Sequence, residues 1–156
     1  MTSPSIRVAQ HAGVCFGVKR ALEEASKVLA EQQGSIHTLG ELIHNPRVVR
    51  DLEQQGAHVA YSVDEVKDGT LIIRAHGVAP QVKQVAESAG LHVVDATCPF
   101  VKCVQDHART LYNDGYQVII VGEAGHPEVE GILGCTDGKA YIVGSAQEVE
   151  SLDISS

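Results

Sequence analysis

The sequence predicts an α/β fold, with parallel sheets flanked by helices, and three observations carry that reading. Short β-branched runs alternate along the chain with stretches of helical period. Four of the five prolines (Pro46, Pro80, Pro99 and Pro127) stand where a helix should begin, the position proline suits best. The reactive side chains also fall mostly just past predicted strands, where open α/β sheets hold ligands.

The predicted strands are Ile6–Gln10, Ser35–Leu39, His58–Ala60, Thr70–Arg74, Leu91–Val94, Tyr116–Val121 and Ala140–Val143. Amphipathic segments separate them. Val18, Ala21, Leu22, Ala25, Val28 and Leu29 form one apolar stripe, and Val101, Val104, Ala108, Leu111 and Tyr112 form another. No fixed-period repeat, low-complexity tract or Gly/Ser linker interrupts the pattern, and the tail Ser151–Ser156 adds no closing element.

Composition narrows the function. The 156 residues are 44% hydrophobic and 21% charged, enough apolar material for a core. No apolar run reaches the roughly 18–20 residues that span a bilayer. The start, MTSPSIRVAQ, has neither the apolar stretch of a signal peptide nor the look of a transit peptide, so the expectation is a soluble, cytoplasmic protein. Twelve basic against twenty acidic residues leave a formal charge of −8, which opposes nucleic-acid and anionic-membrane binding. A local site for a small anion stays compatible with that charge. Neither GxGxxG nor GxxxxGK[ST] occurs, so no nucleotide-phosphate loop is indicated.

The cysteines are Cys15, Cys98, Cys103 and Cys135. A disulfide framework is not expected in a reducing compartment, and no CxxC pair names a metal by spacing alone. Cys15 follows the first predicted strand, His44 the second, His76 the fourth and Cys98 the fifth; His126 and Glu128 follow the sixth. By contrast His37, His58 and His92 lie in or at the start of strands, and His107 lies within a helix.

Each of these has a plainer reading. Cys15 alone reads as a small buried hydrophobe, although Gly13 and Gly17 beside it allow close approach of a bulky group. Cys98 stands before Pro99 at a helix start, an environment that favours thiolates. Cys103 and Cys135 read as structural. His44 could simply serve a turn, and Glu128, like Glu130, could simply complement a helix dipole. Three imidazoles at one sheet edge are harder to explain as packing, and imidazoles with helix starts suit a phosphate or diphosphate. Two separated thiols suit an iron–sulfur cluster or a zinc site assembled across loops.

The stretches GVCFGVKRA, LIHNPRVV, RAHGV, DATCPFV and GHPEVEG occur in that order, and on them the chain resembles the 4-hydroxy-3-methylbut-2-enyl diphosphate reductases, from Ile6 to about Leu152. The resemblance implies reductive removal of an allylic hydroxyl, giving isopentenyl and dimethylallyl diphosphates, in the last step of the methylerythritol phosphate route. It implies Cys15 and Cys98 as two of three cysteine ligands to a [4Fe-4S] cluster, and His44, His76 and His126 as holders of the substrate diphosphate. Glu128 then matches the proton-delivering residue and Glu130 keeps a structural role. Ferredoxin or flavodoxin is the implied electron donor.

The resemblance further implies a three-lobed fold in chains roughly twice this long. Residues 1–97 would form the first α/β lobe and 98–156 an incomplete second; the residues alone allow a single doubly wound sheet. The third cysteine ligand lies outside the matched part, and neither Cys103 nor Cys135 takes its place. The expectation is therefore a portion that does not complete the reaction alone, and whose open edge invites self-association. The other readings are a non-catalytic metal- or diphosphate-binding module and a protein using Cys98 as a redox thiol.

Overall fold

The computed structural model describes residues 5–31 and 34–152. The chain first becomes regular at α1 (Phe16–Glu31), whose buried residues Ala21, Ala25, Val28 and Leu29 follow the predicted stripe. Then come β1 (Ile36–Leu39), α2 (Pro46–Gln54), β2 (Ala57–Ala60), a 3₁₀ turn at Val63–Glu65 and β3 (Thr70–Ile73). They are followed by α3 (Pro80–Ser88), β4 (His92–Asp95), α4 (Pro99–Asn113), β5 (Ile119–Val121), α5 (Pro127–Gly134), β6 (Tyr141–Val143) and α6 (Ala146–Glu150). Among the described residues no helix is long and apolar enough to cross a membrane.

The strands form a four-stranded sheet in the order β2-β1-β3-β4 and a two-stranded sheet of β5 and β6, parallel throughout. β1 passes to β2 on one side while β3 lies on the other, so strand order reverses between β1 and β3. A crevice opens at the carboxyl ends of strands where connections diverge in this way. The first sheet is covered on both faces. One cluster joins α1 to Ile36, Leu42, Ile43, Leu52, Ile72 and Ala96. The other joins Leu39, Ala60, Leu71, Ala86 and Leu91. β3 is buried at all four residues, as expected for an inner strand of a two-face sheet.

Pro46, Pro80, Pro99 and Pro127 each begin a helix. A missing N–H costs nothing there, since the first amides of a helix have no internal partner. Asn45 caps α2, its side chain accepting from the Arg47 and Val48 amides.

Three expectations need correction. Ile6–Gln10 is not a strand: it runs as irregular chain, with Ile6 94% and Val8 84% exposed. Its alternation suits a strand, but a strand persists only where a ladder pairs its backbone, and this segment pairs with none among the described residues. The strand expected over Tyr116–Val121 begins only at Ile119. Tyr116 N donates instead to Leu111 O (3.0 Å), binding that residue to the end of α4. On α4 the predicted stripe is half realised: Ala108 is buried, while Val104 and Leu111 are exposed. Of the tail Ser151–Ser156, Ser151 and Leu152 form only the turn after α6; residues 153–156 lie outside the described residues.

Candidate functional site

Backbone hydrogen bonds continue past the strand ends and stitch three loops together. Ala75 N donates to Leu42 O (3.1 Å), and Cys98 N donates to Ala75 O (2.9 Å). His44, His76 and Cys98 are thereby carried on neighbouring connections, two, one and no residues beyond those bonds. The sheet, rather than any local motif, sets their spacing.

The imidazoles converge. The His44 and His76 ring centroids are 4.3 Å apart, and those of His76 and His126 are 6.5 Å apart, nearly perpendicular. His44 lies beside α2, His126 is the N-cap of α5, and His76 leaves β3 at the β1–β3 reversal. Glu128 lies in the first turn of α5. Its amide donates to His126 Nδ1 (3.2 Å), so the neutral His126 ring carries its proton on Nε2. His44 is largely exposed, with Nδ1 3.7 Å from Glu41 Oε2.

His76 is the most enclosed of the three. Burial and the neighbouring His44 ring push it below the ordinary histidine range; Glu128 works against that shift, and Arg74 and His126 add to it. Its Nδ1 is buried without a protein partner, as are Arg74 Nε and Gln105 Nε2. Burial also lowers Arg74. Three rings and the Arg74 guanidinium, beside the Glu41 and Glu128 carboxylates, gather N–H donors at one spot on an acidic chain. An anion is the ligand that such a spot holds well.

The thiols divide into two kinds. Cys98 is the N-cap of α4, and Cys15 immediately precedes α1, its carbonyl accepting from Lys19 N (2.9 Å). Gly17 joins them: a methyl group on Gly17 would collide with Cys98 Sγ, so the absence of a side chain lets the thiol rest on the first turn of α1. Arg20 strengthens that junction, Nη1 donating to Thr97 O (2.8 Å) and Nη2 to Asp95 O (3.4 Å). Cys103 stands apart on an exposed part of α4 beside His107, and Cys135 is buried at the end of α5. No group of three metal-ligating side chains occurs among the described residues. Two soft thiols at adjoining helix starts suit iron–sulfur chemistry but supply two ligands only.

The expected site residues thus form an imidazole group with Glu128 in the next turn, and a junction between Cys98 and the turn following Cys15. Sequence reasoning missed Arg20, Gly17 as a partner of Cys98, and Ala75. Arg20 reaches 77 residues along the chain for its carbonyl, and no local signal announces such a bond. Beside the freedom its place next to Cys15 gives, Gly17 makes room for the Cys98 thiol.

The chain is similar to proteins of one enzyme family. The chain is 46% identical over 151 residues to the 4-hydroxy-3-methylbut-2-enyl diphosphate reductase of Caldanaerobacter subterraneus subsp. tengcongensis, covering 94% of this chain and 52% of that protein. A solved (E)-4-hydroxy-3-methyl-but-2-enyl diphosphate reductase, described as the terminal enzyme of the non-mevalonate pathway, superposes with a TM-score of 0.82. It is 43% identical, and the match covers 94% of this chain and 53% of that one. The E-1-hydroxy-2-methyl-but-2-enyl-4-diphosphate reductase from Plasmodium falciparum gives a TM-score of 0.88 at 31% identity, over 94% and 46% of the two chains. The chain spans about half the length of the relatives it matches. A family model described as LytB protein matches residues 6–156, and the chain belongs to that family.

Proposed function

We propose that this chain is the diphosphate-binding, two-cysteine portion of a 4-hydroxy-3-methylbut-2-enyl diphosphate reductase, acting in isoprenoid precursor synthesis in the cytoplasm. The observation that carries the reading is the convergence of His44, His76 and His126 at the reversal of strand order. Residues 1–97 are its first lobe and 98–156 part of its second.

The reaction replaces a carbon–oxygen bond by a carbon–hydrogen bond, consuming two electrons and two protons and releasing water. The imidazoles hold the diphosphate, fixing the allylic hydroxyl at the other end of a short substrate; such positioning is a large part of a catalyst's contribution. His126 donates from Nε2, because its Nδ1 is occupied by the Glu128 amide. Glu128 holds a proton on its carboxyl and gives it to the departing hydroxyl. Cys15 and Cys98 are two of three ligands to a [4Fe-4S] cluster, the third coming from the part of the enzyme that this chain does not span. When bound, that cluster supplies the one-electron steps and an open iron as Lewis acid. Ferredoxin or flavodoxin provides the electrons.

Inorganic diphosphate added to the chain while histidine ring signals are recorded tests the site. Saturable shifts of the His44, His76 and His126 signals support it; no saturable shift refutes it. Iron retained after anaerobic reconstitution and desalting tests the cysteines. The reading expects little retained iron and no sustained turnover, because two thiols do not complete the ligand set. The lack of a third ligand among the described residues favours one other reading, a module that binds diphosphate without catalysis. Turnover restored by adding the remaining half of a relative would exclude that module.

A further inference from the structure

The second acidic residue of GHPEVEG sits in the first turns of α5, where helix-dipole complementation would explain it as a solvated carboxylate. Its hydrogen bond shows a more specific task. Glu130 Oε1 accepts from Gly125 N (3.2 Å), five residues back and outside the helix. Gly125 lies within a turn closed by His126 N donating to Glu123 O (3.1 Å), and its φ of 84° is in the left-handed region that favours glycine. Glu130 N donates to His126 O (3.0 Å). Glu130 therefore grips the His126 segment at both ends, by side chain on the residue before and by backbone on the residue itself.

This grip bears on what His126 presents. The ring is held as a cap, Nδ1 accepting from Glu128 N, and that bond selects the tautomer with its proton on Nε2. The cap geometry lasts only while the turn delivering His126 keeps its angle to α5. Glu123 fixes one side of that turn by its carbonyl, and nothing but the Glu130 side chain is bonded to the Gly125 amide among the described residues. From this arrangement we infer that Glu130 is a positioning residue for His126, holding it in the rotamer and tautomer that donate to a phosphate oxygen. It touches no substrate and acts through the turn. The inference rests on the diphosphate reading above and assigns a role to one more residue of that site.

The affinity consequence follows from populations. If only a fraction of molecules present His126 correctly, apparent affinity falls by that fraction. Losing one charge-assisted hydrogen bond at an exposed turn should lower that fraction about fivefold. Glu130→Gln keeps an acceptor oxygen and should show a smaller effect than Glu130→Ala.

The experiment follows the His126 tautomer by ¹⁵N NMR, the Gly125 amide by hydrogen exchange, and inorganic diphosphate binding by titration, in the whole chain and both variants. Expected for Glu130→Ala are a mixed His126 tautomer, Gly125 exchange faster by about fivefold, and diphosphate binding weaker by about fivefold. The His44 and His76 signals should stay in place. A merely structural role would lower the melting temperature and leave the His126 tautomer alone, and that result overturns the inference. If the wild-type chain shows no saturable diphosphate binding while Glu130→Ala still mixes the tautomer, the diphosphate reading fails and the positioning role stands. If the alanine variant does not fold, Glu130→Leu, which fills the space without an acceptor, decides: wild-type Gly125 exchange and His126 tautomer in that variant overturn the inference.

Discussion

Cys98 N donates to Ala75 O at 2.9 Å, so the thiol-bearing turn and the connection that carries His76 share one backbone hydrogen bond. Ala75 N is in turn bonded to Leu42 O, two residues before His44. The parallel ladder of β1, β3 and β4 thereby extends past its strands into the loops. Loops that would otherwise drift are held at strand spacing, which is how residues far apart in sequence come to serve one site.

The contact of Gly17 with Cys98 Sγ is testable by a double-mutant cycle. Gly17→Ala places a methyl group against the thiol and against Cys98 Cβ, and a clash in a packed junction costs about 1–3 kcal/mol. Removing the sulfur with Cys98→Ala should relieve part of that cost. Thermal or urea unfolding of the two single variants and the double variant should give a coupling of at least about 0.5 kcal/mol. Strict additivity would show that the two residues do not touch.

Asn45 separates His44 from α2, and its side chain accepts from two otherwise unpaired amides, those of Arg47 (3.1 Å) and Val48 (3.4 Å). Asn45→Ala should cost about 1 kcal/mol of stability, the usual worth of an N-cap. Asn45→Ser, which restores a capping oxygen, should recover most of it. Denaturant midpoints at constant slope are the measurement, and an unchanged midpoint in the alanine variant would contradict the cap.

His76 links the site to pH. Burial and the His44 ring hold its folded pKa below the value of an unfolded histidine. The unfolded chain therefore takes up the proton first as pH falls. This contribution to stability is complete above about pH 6.5 and declines between that point and the lower folded pKa. Unfolding midpoints should drop from pH 7.5 to pH 5.5, with a shallower drop in His76→Gln. His44→Ala removes the nearest repelling ring, so the His76 ring should then titrate at higher pH. Ring titration at an unchanged pH would show that His44 does not act on it.

Much of the fold was legible because its signals are local. Proline at a first helical position reports the need for a residue without an N–H, and all four helix starts predicted from it are found. The stripe of α1 faces a core and is buried as its period requires. Ile6–Gln10 failed because alternation says which faces a strand would have and not whether a partner exists. The stripe of α4 failed in part for the same reason, since Val104 and Leu111 stay exposed among the described residues. The imidazoles were legible as a group through their position after strands. The Arg20 bonds to Thr97 and Asp95 were not, because they depend on how α1 docks rather than on any nearby residue.

Asp95 ends β4 three residues before Cys98 and braces the turn between them. Its Oδ1 accepts from Thr97 N (3.0 Å), and its Oδ2 lies 2.9 Å from Lys102 Nζ and 3.6 Å from Lys83 Nζ. Burial pushes this carboxyl up, but the bonds from Thr97 and Lys102 outweigh burial and hold it below the usual carboxylate range. A depressed carboxylate contributes stability above its unfolded pKa, near 3.9, and loses it as pH falls through the folded value. Asp95→Asn keeps an acceptor for Thr97 and loses both lysines, which then repel each other. It should destabilise the chain by about 1 kcal/mol at pH 7, because the lysines are partly solvated. The difference from wild type should shrink as pH falls through the depressed folded value of Asp95, below which both side chains are neutral. The same loosening should expose Cys98, so alkylation of that thiol should be faster in Asp95→Asn than in wild type at pH 7. A stability gap that persists unchanged into acid would mean that the carboxylate charge is not what Asp95 contributes.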